Sequence, residues 1–173
     1  MTDQIQTTRQ VYAQTSVGTS GYVTVQDRAR FDILTVFASQ PTITRGQGPD
    51  APWSIAMQVR NSGGSALRVL PQSDQSQITF EKGNQYFTVS PETDTLRLDS
   101  QESDTVRFSV SRVDTASVLL GPCAIDVTLL EEEINSGELI QTSTLPGGEP
   151  ARTEVVIQDS AVVRIDSLLA DIP

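Results

Sequence analysis

Oxygen-bearing side chains are the residues here whose types and spacing could do chemistry. Glu131, Glu132 and Glu133 run into Asn135 in the stretch EEEINSG, and a Gln-Asp pair occurs twice, which sets Asp27 and Asp159 in matching contexts. Carboxylate and amide oxygens are the ligands of a hard divalent cation, so Asp27, Glu131, Glu133, Asn135 and Asp159 are the candidates for calcium. Such an ion would act at a joint where Asp27 or Asp159 meets an acidic loop, and it would stiffen that joint. The spacing D-x-[DN]-x-[DN]-G is absent, so no preformed calcium loop unites the five. The simpler expectation for the glutamate run is a charged hairpin end that discourages edge-to-edge strand pairing.

The rest of the composition removes other chemistries. The chain has no histidine, which takes away the commonest general base and metal-binding imidazole, and with them hydrolytic triads and zinc sites. Its single lysine, Lys82, falls in the turn-like EKGN, a poor place for Ser-Lys catalysis. Acidic residues scattered over strands and turns do not define the facing pair of a glycosidase. The expectation is therefore a protein that is not an enzyme and needs no cofactor apart from the calcium question. A net charge of −10, from 22 acidic against 12 basic residues with no basic cluster, would repel a phosphate backbone and excludes nucleic acid as a partner.

Cys123 is alone, and in GPCAIDVTLL it falls in phase with Ile125, Val127 and Leu129, which marks a buried small apolar residue rather than a reactive thiol. No stretch approaches membrane-spanning length, and MTDQIQTTRQ lacks the basic flank and apolar run of a secretory signal, so no membrane insertion is expected. Met1 as a natural start would imply the cytoplasm. The repeat described below argues instead for an expressed fragment or processed subunit, so Met1 carries no weight for location.

The elements that must position these groups are strands. At 173 residues the chain can bury one sizeable core without metal or disulfide staples. Aromatic content is low at 5% while Ser, Thr, Gln, Asp and Val abound, as in a chain of many short strands and turns. Phe31, Ile33, Thr35 and Phe37 alternate with Asp32, Leu34 and Val36, and Trp53, Ile55, Met57 and Val59 share one face, which makes the Trp a core residue. Asn61-Ser62-Gly63-Gly64 then supplies a hairpin-like turn or a loop into Leu67 and Val69. Further alternation follows at Ile78 and Phe80, Tyr86 to Val89, Leu96 and Leu98, Val106 to Val110, and Cys123 to Leu130. Residues 113–120 lead into Gly121-Pro122, Asn135-Ser136-Gly137 turns the chain, and Leu139 and Ile140 return. No convincing amphipathic helix appears. About eight to nine strands predict an all-β protein, an immunoglobulin-like antiparallel β-sandwich.

One segment recurs. Residues 25–41 and 157–173 align without gaps at an offset of 132, with Gln26, Asp27, Ala29, Ile33, Ala38 and Pro41 facing Gln158, Asp159, Ala161, Ile165, Ala170 and Pro173. These are six identities in seventeen positions, where average residue usage gives roughly one. A domain-scale repeat divides the chain into residues 1–20, a lead-in or the tail of a preceding module; residues 21–156, the sandwich; and residues 157–173, the start of the next repeat or a strand that docks on a neighbour. The in-phase apolar positions Val25, Phe31, Ile33, Ile157, Val163, Ile165 and Leu168 are the candidate interface. No flexible linker marks the boundary, which predicts a stiff joint.

PWSIAMQVRNSGGSALRV, YFTVSP, LRLDSQESDTVRFSV, GPCAIDVTLLEEEINSG and VVIQDSA occur in that order. Together, over residues 22–173, they resemble the tandem immunoglobulin-like modules of large bacterial surface and secreted proteins, of the adhesion-associated and conserved-repeat kind. The counterparts of the family's strand and turn motifs are Met57 to Gly63, Phe87 to Pro91, Val106 to Val110, Glu133 to Gly137 and Val156 to Gln158. Glu-Ile-Asn stands where an Asp-x-Asn turn is usual, which weakens any cation site there. The resemblance implies a sandwich used in arrays, extracellular or at the cell surface, and carries over no catalytic or binding residue. The partners expected are neighbouring modules or copies of itself. The chain would be a non-enzymatic structural module of an extracellular bacterial assembly, either a stalk spacer or a fibre subunit joined by β-strand addition. The alternative is an adhesive module that presents Tyr22, Tyr86 or Phe87 to a surface glycan or protein.

Overall fold

Period-two alternation becomes strand along most of the chain. The computed structural model describes residues 9–14, 20–44, 51–112 and 119–159. In chain order the strands are β1 (Arg9–Gln14), β2 (Ser20–Val25), β3 (Phe31–Ala38), β4 (Thr42–Thr44), β5 (Trp53–Asn61), β6 (Leu67–Val69) and β7 (Gln77–Phe80). They continue with β8 (Phe87–Pro91), β9 (Leu96–Leu98), β10 (Ser103–Arg112), β11 (Gly121–Glu133), β12 (Leu139–Thr142) and β13 (Arg152–Gln158). No α-helix occurs among the described residues; a single 3-10 turn spans Asn84–Tyr86.

Two sheets face each other. One has the order β3-β5-β10-β8, all antiparallel. The other is built on β11, whose 13 residues make a spine that shorter strands cover in relays. β13 pairs with its first half and β12 with its second on one edge, while β7 and β6 do the same on the other. β9 extends the sheet beyond β6, and β4 runs parallel to β13. Taking β3, β5, β10 and β8 as A, B, E and D, with C and G each broken in two around F, this is the strand order of an immunoglobulin-like sandwich. β1 and β2 form a separate two-stranded sheet.

The core lies between the sheets. Ile55, Met57 and Val59 of β5 meet Cys123, Ile125, Val127 and Leu129 of β11, all at most 1% exposed. Trp53 is buried with its ring edge-on to Phe80 at 6.3 Å, and Phe80 stacks on Phe87 at 4.1 Å. Cys123 is interior, as its phase required, and burial pushes its thiol up, which makes it a poor nucleophile.

One local expectation is corrected and one alternative is decided. In β3 the register shifts between Ile33 and Thr35, so Leu34 is a bulge and the faces exchange after it. Val36 and Ala38 then pack on the core, while Phe37 is 46% exposed instead of sharing a face with Phe31 and Ile33. Of the two readings of Asn61 to Gly64 it is the loop that forms, and it carries the chain from one sheet to the other, because β5 and β6 belong to different sheets. The two facing sheets are built from β3 to β13, which ends at Gln158.

Candidate functional site at the joint

The inward face of β11 changes character along its length. After the apolar residues from Cys123 to Leu129, the same phase puts Glu131 and Glu133 inside, 3% and 6% exposed. Glu132, out of phase, pairs with Arg68 across the β11–β6 ladder at 3.3 Å. The expected charged hairpin end is thereby corrected: alternation governs an acidic run as it does an apolar one, so two of the three glutamates are interior.

Glu133 is fully occupied. Its Oε1 accepts hydrogen bonds from the Ser65 hydroxyl at 2.7 Å and the Ala29 backbone N–H at 3.1 Å, and its Oε2 accepts from the Ser136 hydroxyl at 2.8 Å. The Arg28 guanidinium lies 3.7 Å from Oε2 and also pairs with Glu138. The Ser65 hydroxyl, followed by the Ala29 N–H, the Ser136 hydroxyl and the Arg28 charge, holds the carboxyl down at about 2 despite burial. Donors aimed at a carboxylate stabilise its charged form. Gly137, at a φ of 70°, lets the turn close so that its N–H reaches the Glu133 carbonyl at 2.8 Å.

Asn61 completes the site from the opposite sheet. It is the last residue of β5, in phase with Trp53 through Val59, and fully buried. Its amide nitrogen donates to the carbonyls of Ser65 at 2.8 Å, Asp99 at 3.1 Å and Leu98 at 3.2 Å. Its Oδ1 accepts from the N–H groups of Gly63 at 3.0 Å and Arg30 at 3.4 Å. A buried amide so satisfied fixes its surroundings.

What the two residues hold is the repeated segment ahead of β3. The Gly64 N–H donates to the Arg28 carbonyl at 3.1 Å, and the Ser62 N–H to the Arg30 carbonyl at 2.8 Å. A Cβ on Gly63 would lie 2.2 Å from the Arg28 oxygen and 2.4 Å from the Arg30 nitrogen, so only glycine permits the approach. Residues 28–30 are therefore clamped by backbone, side-chain and ionic contacts at once.

Glu131, two residues earlier, is held by one bond. Its Oε1 accepts from the Thr142 hydroxyl at 2.8 Å, and its Oε2 has no hydrogen-bond partner among the described residues. Burial pushes this carboxyl up to about 7, with the Thr142 bond opposing.

Of the calcium candidates, Asp27 lies against Gly64, and Asn135 is exposed in the turn after Glu133. Asp159 follows β13 at the other end of β11, where Ile157 pairs with Gly121. Among the described residues no group of three or more His, Cys, Asp or Glu comes together in a way that could hold a metal. Of the interface candidates, Phe31, Ile33 and Ile157 are 8%, 0% and 2% exposed within this chain's own core. In this chain they lie between its own two sheets. Val25 is 51% exposed, and Val163, Ile165 and Leu168 lie outside the described residues.

Arg28 and Ser65 do not stand out in the sequence, and Asn61 and Ser136 do so only as turn residues. A signal was present for one of them: Asn61 extends the inward phase of an apolar strand, and a polar residue in that position needs buried partners.

Fold and site together define an immunoglobulin-like β-sandwich module whose incoming chain is clamped at one end of β11 and whose outgoing strand leaves at the other. No family model matches the sequence, and no curated protein matches it. Among solved structures it is similar to the ASH/PapD-like domain of human CEP192 (PapD-like domain 7), at 12% identity and a TM-score of 0.40, over 76% of this chain and 89% of that one.

Proposed function

We propose that the chain is a non-enzymatic structural module of an extracellular bacterial assembly and serves as a stiff stalk spacer. The observation that carries this is the position of the two joints. The incoming segment bonds to Glu133, the last residue of β11, and outgoing Ile157 pairs with Gly121, the first. Thirteen residues of strand separate them by about 40 Å, so modules linked this way extend rather than fold back. Extracellular location and bacterial origin rest on the resemblance of the strand motifs, and an acidic, lysine-poor surface is compatible with both.

The spacer version is preferred to the fibre subunit because Phe31, Ile33 and Ile157 are used inside the module. In this reading Arg28 does at the joint what calcium would have done, countering the acidic turn. Two of the three aromatic residues of the adhesive alternative are used inside the module, Phe87 stacked on Phe80 and Tyr86 packed against the core, while the Tyr22 side chain lies outside the described residues.

The test is a two-module chain, residues 1–158 followed directly by 27–173, compared with the single chain by small-angle scattering and light scattering, with calcium and with chelator. The spacer reading expects monomers under every condition and a maximum dimension longer by about 40 Å. A compact or broadly distributed two-module particle would overturn the stiff joint. Mass that grows with concentration would favour the fibre subunit, and stiffening only with calcium would restore the cation to the joint.

A further inference from the structure

The second copy of the joint differs from the first where the first is charged. Asp27, Ala29 and Ile33 recur as Asp159, Ala161 and Ile165, but Ser160 and Val162 stand at the positions of Arg28 and Arg30. The backbone part of the clamp survives this change, because the Arg28 carbonyl, the Ala29 N–H and the Arg30 carbonyl are main-chain groups. The ionic part does not. In the first copy the Arg28 guanidinium pairs with Glu138 and lies 3.7 Å from Glu133, whereas a module entered through residues 160–162 brings no guanidinium to that place.

Chain length leaves consecutive modules no room to separate. β13 is paired as far as its last residue, Gln158, which lies beside Thr44. Asp27 lies against Gly64 in this chain, so in an array its counterpart Asp159 is seated on the next module's crossover. Gln158 and Ser160 are then at most about 7 Å apart. The end of one module abuts the start of the next.

The outgoing end holds what that start lacks. Leu119 and Leu120 are 66% and 43% exposed just ahead of β11, on the side of β13 where Ile157 pairs with Gly121. Lys82, the single lysine of the chain, donates from Nζ to the Leu120 carbonyl at 3.2 Å. A cation and two apolar side chains therefore stand beside the departing strand. The turn that follows β11 at the incoming end offers Glu138, its side chain 49% exposed, and the half-buried Ile134.

We propose that Lys82 of one module takes the place of Arg28 against Glu138 of the next, with Leu119 and Leu120 laid over the turn of residues 134–138. This contact rests on the array reading and adds the residues that close its joint. Two sides of the departing strand are available to that turn, one flanked by Gly121 and the other by Thr44 of β4. Complementary charge and exposed apolar surface select the first. An exposed ion pair adds little stability, so its role is to set the rotation of one module on the next.

The test joins residues 1–162 directly to residues 31–173, so that Ser160, Ala161 and Val162 lead into the second copy. The second copy carries K82R and the amino terminus is acetylated, which leaves Lys82 of the first copy as the only amine. The monomeric chain is treated with a carbodiimide, which joins an amine to a carboxylate in contact with it, and the peptides are read by mass spectrometry. The expected product is an amide between Lys82 of the first copy and Glu138 of the second. E138Q in the second copy should abolish it, and E138Q in the first should leave it. L119S with L120S in the first copy should remove most of the yield, and an unchanged yield would overturn the part given to the leucines. Coupling of Lys82 only within its own module, as in the single chain of residues 1–173, would overturn the proposal. Small-angle scattering on the same chain keeps the two readings apart. An extended particle without the product sinks this contact alone, whereas a compact or broadly distributed one sinks the array reading.

Discussion

Two glutamates on one face of one strand, Glu131 and Glu133, meet opposite fates. Both are interior, yet one carboxyl is held down at about 2 and the other pushed up to about 7. The difference is the supply of donors. Glu133 lies where the sheet-to-sheet crossover, the acidic turn and the joint converge, and three donors with one guanidinium face it. Glu131 lies one residue pair further inside, with a single hydroxyl. Burial alone makes a carboxylate a liability, and donors turn it into an anchor.

The largest expected effect comes from breaking the satisfied side. Glu133→Ala leaves the Ser65 and Ser136 hydroxyls and the Ala29 N–H without their acceptor. It should cost about 3–5 kcal/mol in denaturant unfolding at pH 7. Gly63→Ala attacks the same clamp through the backbone and should cost about 2 kcal/mol, with the damage confined to residues 26–30 and the crossover.

Titration separates the pair further. Glu133 has a lowered value, so its contribution is present above its ordinary value of 4.5 and is lost as pH falls toward about 2. Glu131 has a raised value, so the folded state binds the extra proton, and stability is lost as pH rises from 4.5 through about 7. Glu131→Gln should therefore stabilise the protein by about 1–3 kcal/mol at pH 8 and by almost nothing at pH 4.5, as read from thermal unfolding at the two pH values. A gain that does not depend on pH would contradict the assignment. The smallest effect belongs to Arg28→Ala, whose guanidinium side chain is 67% exposed. It should cost less than about 1 kcal/mol, and less still in high salt.

The contrast also shows what a sequence displays. Strands with a single phase were legible, as at Trp53 to Val59 and Cys123 to Leu129, because alternation is a local property. The bulge at Leu34 was not, since one inserted residue leaves composition untouched while exchanging the faces of Thr35 to Ala38. β4 was missed because a three-residue strand parallel to β13 is defined by its distant partner. The acidic run was read as surface because charge outweighed phase, and the donors that make Glu133 tolerable come from residues 29, 65 and 136. The recurrence of residues 25–41 at 157–173 is legible in the sequence. The clamp on residues 28–30 is not, because it forms only where Asn61, Gly63 and Glu133 meet.

The most direct measurement is the exchange rate of the Ala29 amide in the intact chain at neutral pH, followed by NMR beside Val59 and Val127. A clamped joint predicts that Ala29, which donates to Glu133, exchanges only through large openings and loses most of that protection in Glu133→Ala. Ala29 exchanging like an unfolded peptide while Val59 and Val127 stay protected would show that the joint is free, and the stiff spacer account would fall with it.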